Sequence, residues 1–263
     1  TDSSADIPPQ MVETLGISVI PLNVLFGHDV FRDGVDITHE KFYQRLASSS
    51  VHPTTSQPSA GDFVEVYREM SKSAQAIISI HIGSLLSGTL ESAHAAKAQL
   101  DSSVPIHIVD SRSTSMGLGF LALAAAEMAA GGLDAPGIVA RVEALVPKMN
   151  VIFVVDTLEY LHKGGRIGGA ERFLGSMLRI KPLLHLDDGR IEPLEKARTK
   201  QRAVARLLEI MTEKIGDVQP AGLAVVHAAA EEEGLLLKRE IEARFPGKEP
   251  YFCQLNSVVG VHT

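Results

Sequence analysis

The chain predicts an α/β protein of two domains. Residues 1–149 read as a mostly parallel sheet with helices on both faces, and residues 150–263 as a smaller, mixed-sheet domain. Two apolar runs of strand length, Ala76 to Ile80 and Val104 to Val109, each pass through a polar turn into an Ala-rich helix, the rhythm of a parallel β-α layer. From Asn150 the pattern changes to a strand, a glycine-rich stretch and a hairpin, the mark of a second unit. A length of 263 residues accommodates two moderate domains.

The elements follow in order. Thr1 to Asp6 is a polar segment before Ile7-Pro8-Pro9, where a proline suits the start of a short helix. Ile17 to Phe26 is strand-like, with Pro21 marking an edge or a bulge. His28 to Asp36 carries turn chemistry around Asp33-Gly34, and Thr38 caps a helix through Ala47. Val51 to Ser59 is a proline-bracketed polar loop, a stiff linker or a shaped binding loop, before a helix over Ala60 to Ser73. The strand Ala76 to Ile80 precedes a turn over Gly83 to Thr89 and a helix over Glu91 to Leu100. The strand at Val104 exits through Asp110 to Ser113 into an apolar helix, Gly117 to Ala130, closed by Gly131-Gly132. Pro136 to Val146 is a further helix.

In the second domain Val151 to Val155 is a strand and Asp156 to Leu161 a helix, followed by Lys163 to Gly169 with four glycines and two cations. After another helix, Ile180 to Leu186 and Ile191 to Leu194 pair across the turn Asp187 to Arg190. Helices at Arg202 to Lys214 and Glu231 to Phe245 alternate with strands at Ala221 to His227 and at the C-terminal end.

A formal charge of −7 disfavours a nucleic-acid or anionic-membrane surface. The single cysteine, Cys253, excludes an intrachain disulfide framework and a cysteine-cluster metal site, and fits a reducing, cytoplasmic setting. The longest apolar stretch, Met116 to Ala130, falls short of membrane-spanning length and contains Glu127, so no integral membrane segment is expected.

In parallel sheets ligands sit beyond the carboxyl ends of the strands. Three polar turns fall there: Asp2 to Ser4, Gly83 to Thr89 and Asp110 to Ser113, with Thr54 to Gln57 as a fourth wall. A Ser/Gly/Thr turn at a helix start offers N–H groups and hydroxyls to an anion, and the same groups serve an ordinary helix cap. Gly164-Gly165-Arg166 with Gly168-Gly169 fits neither phosphate-loop pattern. Ser87 lacks the flanking glycines of a nucleophile elbow and an identifiable base. His81, His94 and His107 are too dispersed for a metal site. The residues by themselves leave open a binding module for an anionic, partly apolar small molecule and a self-sufficient enzyme, phosphate-handling or hydrolytic, using the Ser/Thr turns.

Seven motifs stand along the chain: Thr1 to Pro8 (TDSSADIP), Pro53 to Ser59 (PTTSQPS), the turn Ser84 to Thr89, Asp110-Ser111, Asp156 to Leu161 with Gly164 to Ile167, Lys181-Pro182 leading to Arg198-Thr199, and Val258 to Thr263. Together, and in this order over the whole length, they resemble the DegV family of bacterial lipid-binding proteins. The resemblance implies two α/β domains holding one long-chain fatty acid, such as palmitate or oleate, between them, with no catalytic residue and no cofactor. It implies that the acid is presented to a separate ATP-binding fatty-acid kinase subunit, which makes acyl phosphate. Carried over by motif, Thr55, Ser87 and Gly88 hold the carboxylate, His262 approaches it from the second domain, and Arg166 and Arg198 dock the kinase subunit. Two departures stand out: Leu85 occupies a position where the family pattern has Gly, and the chain ends at Thr263, before the family's Gly-Pro-Gly.

Overall fold

The computed structural model describes residues 1–101 and 103–263, with side chains described throughout except at 176–179. The chain divides into two compact units: Thr1–Met149 with Asn256–Val258, and Asn150–Leu255 with Val259–Thr263. Both are α/β.

The first unit begins with a 3₁₀ turn, Ser3–Ala5, and helix α1, Pro9–Thr14. Strands β1 (Asn23–Phe26), β2 (Asp29–Arg32) and β3 (Thr54–Ser56) form an antiparallel sheet in the order β2-β1-β3. The strand expected over Ile17 to Phe26 is therefore shorter. Pro21 has no N–H for a ladder, and before it only Ile20 bridges, in parallel, to Asp2. The supposed turn at His28 to Asp36 contains β2, and the polar loop at 51–59 contains β3. Both strands are only three or four residues long and largely exposed, so neither carries a buried alternating pattern.

Helix α2, His39–Ser48, starts at Thr38, whose Oγ1 accepts from Lys41 N at 3.3 Å. Helix α3, Ala60–Met70, starts in a full capping box: Ser59 Oγ accepts from Asp62 N, and Asp62 Oδ2 accepts from Ser59 N. Strands β4 (Ile77–His81) and β5 (Ile106–Asp110) pair in parallel, and are followed by α4 (Thr89–Gln99) and α5 (Met116–Ala130) respectively. Helix α6 covers Ala135–Leu145. Alternation along β4 sends Ile77 into a core with Phe63 and Tyr67 of α3 and Ala93 and Ala96 of α4. Ile80 instead packs with Leu118, Leu121, Ile138 and Val142 of α5 and α6, so helices cover both faces. Helix α5 is buried along most of its length, which is why its sequence is apolar all round.

In the second unit β6 (Ile152–Val154), β7 (Lys181–Asp187) and β8 (Arg190–Ala197) form an antiparallel sheet in that order. The β7–β8 hairpin turns at Asp188 (φ 47°) and Gly189 (φ 81°), both left-handed as a two-residue hairpin requires. Helix α7 is Glu159–Lys163, beginning three residues later than expected, and a 3₁₀ segment runs over Gly168–Arg179. Helix α8, Lys200–Ile215, turns Ala203, Leu207 and Ile210 onto the hairpin sheet and Leu208 and Met211 toward a second core. That core holds the parallel pair β9 (Ala224–His227) and β10 (Tyr251–Gln254) and helix α9, Glu231–Arg244. A final short helix, α10 (Ser257–Gly260), is an element the sequence pattern did not indicate. Among the described residues no helix is long and apolar enough to cross a membrane.

Candidate functional site

In the first unit the polar turns at the carboxyl ends of β4 and β5 are bonded to one another. The Asp2 carboxylate is fully buried and accepts from Ser4 N (3.0 Å), Ser4 Oγ (2.5 Å), Ile82 N (2.9 Å) and His81 Nδ1 (2.9 Å). A carboxylate only accepts, so the His81 proton sits on Nδ1 and Nε2 accepts from Ser79 Oγ at 2.6 Å. Ser79 Oγ in turn accepts from Tyr67 Oη at 2.8 Å. Burial pushes the Asp2 carboxyl up, but the bonds from His81, Ser4 and Ile82 outweigh it and hold it below the ordinary carboxylate range. Burial lowers His81 against the pull of Asp2, so the pair is an ionised acid beside a neutral imidazole.

Above this chain Gly83 N donates to Ser113 O at 2.8 Å and Ser84 Oγ donates to Asp110 Oδ2 at 2.6 Å, joining the Gly83–Thr89 turn to the Asp110–Ser113 turn. The Asp2–Ser4 turn joins through Ser115 N, which donates to Ser4 O at 2.7 Å. Three segments far apart in sequence thus form one rigid floor.

Ser87 and Gly88 lead directly into α4. Gly88 takes the cap position without a side-chain hydrogen bond, while Ser87 Oγ lies 2.9 Å from Thr89 Oγ1 and accepts weakly from Thr89 N at 3.4 Å. Ser87 is therefore not the N-cap; it stands one residue before it. Thr55 lies in β3 opposite Val24, half-buried. Gln57 extends from the end of that strand over Gly88: a Cβ on Gly88 would lie 2.7 Å from Gln57 Nε2. The Thr55 loop and the Ser87–Gly88 turn therefore meet, and Gln57, which the sequence marks only as the end of a candidate wall, is the residue that makes the contact. Leu85, the departure from the family pattern, is 66% exposed.

The other three candidates lie in the second unit. His262 follows α10, half-buried, and packs on Gly164. Arg166 is two residues further on and donates from Nη1 to Gly164 O at 2.6 Å. Arg198 is exposed between β8 and Thr199, which caps α8 by accepting from Arg202 N at 3.2 Å. The motifs around it converge on Asp156, which accepts from Lys181 Nζ at 2.8 Å and Lys200 Nζ at 3.4 Å. The bond from Lys181, with both lysine charges nearby, holds its carboxyl below the usual range. Among the described residues no group of three or more His, Cys, Asp or Glu side chains is arranged to hold a metal ion.

Comparison with known proteins supplies what geometry alone does not. The family model described as "Uncharacterised protein, DegV family" matches residues 1–263. Protein DegV of Bacillus subtilis is 38% identical over 263 residues, covering 100% of this chain and 93% of the relative. The crystal structure of that DegV, described as a fatty acid binding protein, superposes with a TM-score of 0.90, covering 99% of this chain and 93% of that one. A DegV family protein from Thermus thermophilus, described by its fatty acid binding, is 34% identical with a TM-score of 0.93, covering 100% and 93%. A stearic acid-binding protein from Eubacterium ventriosum is 27% identical with a TM-score of 0.92, covering 100% and 92%. With the family model matched from end to end and a relative of this identity covered almost whole, this chain belongs to the DegV family.

Proposed function

We propose that this protein binds one long-chain fatty acid, such as palmitate or oleate, and presents its carboxylate to a separate ATP-binding kinase subunit in the cytoplasm. In this reading the chain is non-catalytic and needs no cofactor, and residues 1–149 and 150–263 act as two domains. Thr55, Ser87 and Gly88 hold the carboxylate, with His262 as a further head-group contact. Arg166 and Arg198 take the kinase subunit, since exposed guanidinium groups suit an acidic surface or an incoming phosphate.

The observation that carries the reading is the contact of Gln57 with Gly88. It puts the hydroxyl-bearing Thr54–Gln57 segment beside a helix start whose cap residue makes no side-chain bond, a neutral donor set suited to an anion. The relatives described as fatty-acid-binding support the apolar remainder of the ligand.

The test is mass spectrometry of the purified protein under native and denaturing conditions. A bound lipid of ~250–300 Da is expected, the size of a chain that fills an apolar pocket. Ser87→Ala is expected to weaken palmitate binding by about 1–3 kcal/mol, because a desolvated charge loses a partner. A lipid-free protein that also ignores labelled palmitate and oleate overturns the proposal.

A further inference from the structure

We infer that Gly164 is a positioning residue for His262: the missing side chain at 164 is what seats the imidazole against the turn that carries Arg166. The functional consequence rests on the reading of His262 as a head-group contact; the positioning itself does not.

Helix α7 is only five residues long and ends in a Schellman arrangement. Arg166 N donates to Leu161 O at 2.9 Å and Gly165 N to His162 O at 3.0 Å, with Gly165 left-handed at φ 71°. That conformation explains the glycine at 165. It does not explain the one at 164, whose φ of −78° and ψ of −6° are right-handed and open to any residue. The reason lies on its Cα. The three nearest atoms a Cβ would meet all belong to His262: Nδ1 inside any contact distance, Cε1 at 2.5 Å and Cγ at 3.2 Å.

The backbone at 164 has little freedom to yield. Its N–H is held by Tyr160 O at 2.9 Å and its C=O by Arg166 Nη1 at 2.6 Å. His262 is also tethered, its N–H donating to Val259 O at 2.9 Å. A methyl group at 164 must therefore turn the imidazole away. A hydrogen bond from an imidazole to a carboxylate is directional, so a turned ring presents its nitrogens elsewhere.

The test uses Gly164→Ala in the full chain, with Gly175→Ala as control. Gly175 lies in the same unit, is exposed, and has nothing within 4 Å of where its Cβ would be. In delipidated protein, the ¹H–¹³C resonance of the His262 Cε1 and its pH titration are expected to shift in Gly164→Ala and to stay put in Gly175→Ala. Palmitate affinity is expected to fall at least about tenfold in Gly164→Ala, the loss of one charge-assisted bond. In a His262→Ala background the same substitution is expected to cost nothing further. Any melting-temperature loss from Gly164→Ala is expected to be restored by His262→Ala, which removes the clash. An unmoved His262 resonance, or a stability loss that persists without the imidazole, overturns the positioning. If His262→Ala alone leaves palmitate affinity unchanged, the head-group role of His262 fails, while the resonance shift still decides the role of Gly164.

Discussion

Gly88 and Gly164 each lie beneath a side chain, Gln57 in one unit and His262 in the other, yet the two contacts differ in what must give way. Over Gly88 the nearest atoms are Nε2 at 2.7 Å, Cδ at 3.2 Å and Oε1 at 3.5 Å, the far end of a long side chain whose Gln57 is exposed. Over Gly164 the nearest atoms are those of a ring on a two-torsion side chain, above a residue whose N–H and C=O are both bonded. In the first unit, rigidity comes from below: the Asp2–His81–Ser79–Tyr67 chain and the Asp110 bonds fix the turn, and the side chain above it stays adaptable. In the second unit the turn closes a five-residue helix, and the fit above it is tight. The cost of a Cβ at each glycine therefore depends on how close the neighbour stands and on how freely it can move.

The floor of the first unit is the place to break this contrast. Asp2→Ala leaves the Ser4 and Ile82 N–H groups and the His81 ring without their buried acceptor, and is expected to cost about 3–5 kcal/mol in urea unfolding. A loss below about 1 kcal/mol sinks the claim that this carboxylate holds the turn rigid.

A smaller effect concerns how residues 256–258 are held in the first unit. Asp6 Oδ1 accepts from Asn256 N at 2.8 Å and Nδ2 at 3.1 Å, Asp6 Oδ2 from Ser115 Oγ at 2.6 Å, and Asp33 Oδ1 from Ser257 N at 3.2 Å. Burial pushes Asp6 up to about 7 from an ordinary 3.8, against its bonds from Ser115 and Asn256. Burial raises Asp33 too, against the pull of His39, and Tyr43 is raised by burial and by both carboxylates. The folded state thus keeps the Asp6 proton where the unfolded chain has released it. Its contribution is whole below about pH 4 and is lost as pH rises through about 7, on the order of 1–4 kcal/mol. Asp6→Asn keeps the acceptor for Asn256 and is expected to flatten that decline in denaturant titrations at pH 5 and pH 8. Parallel curves for the two proteins would show that Asp6 does not carry it.

The smallest effect sharpens the comparison directly. Gly88→Ala is expected to change stability by less than about 1 kcal/mol, since Gln57 swings aside, and adding Gln57→Ala is expected to recover the difference. A loss as large as that of Asp2→Ala would mean that Gln57 is as confined as His262.

Much of the architecture was legible. Thr38 caps its helix as its position before the periodic run indicates, the next helix starts at Ala60, Asp188-Gly189 turns the hairpin, and the Ile77–His81 and Ile106–Asp110 strands pair in parallel. Two short exposed strands were not legible, because three or four residues against one neighbour carry no periodic signal. The candidate segments were legible as polar turns, Thr54 to Gln57 among them, but the contact of Gln57 with Gly88 was not, since nothing local says which turn an exposed amide will reach.

Caps, turns and apolar periodicity act over about four residues, so the chain alone dictates them. The Asp2–His81 bond spans 79 positions and the Asp6–Asn256 bond 250. Such pairs have no local signature: each acid is an ordinary polar residue until folding removes water and leaves one partner in reach. The same holds for Gly164, which reads as one of four glycines in the run Lys163 to Gly169 until His262 comes to rest on its Cα.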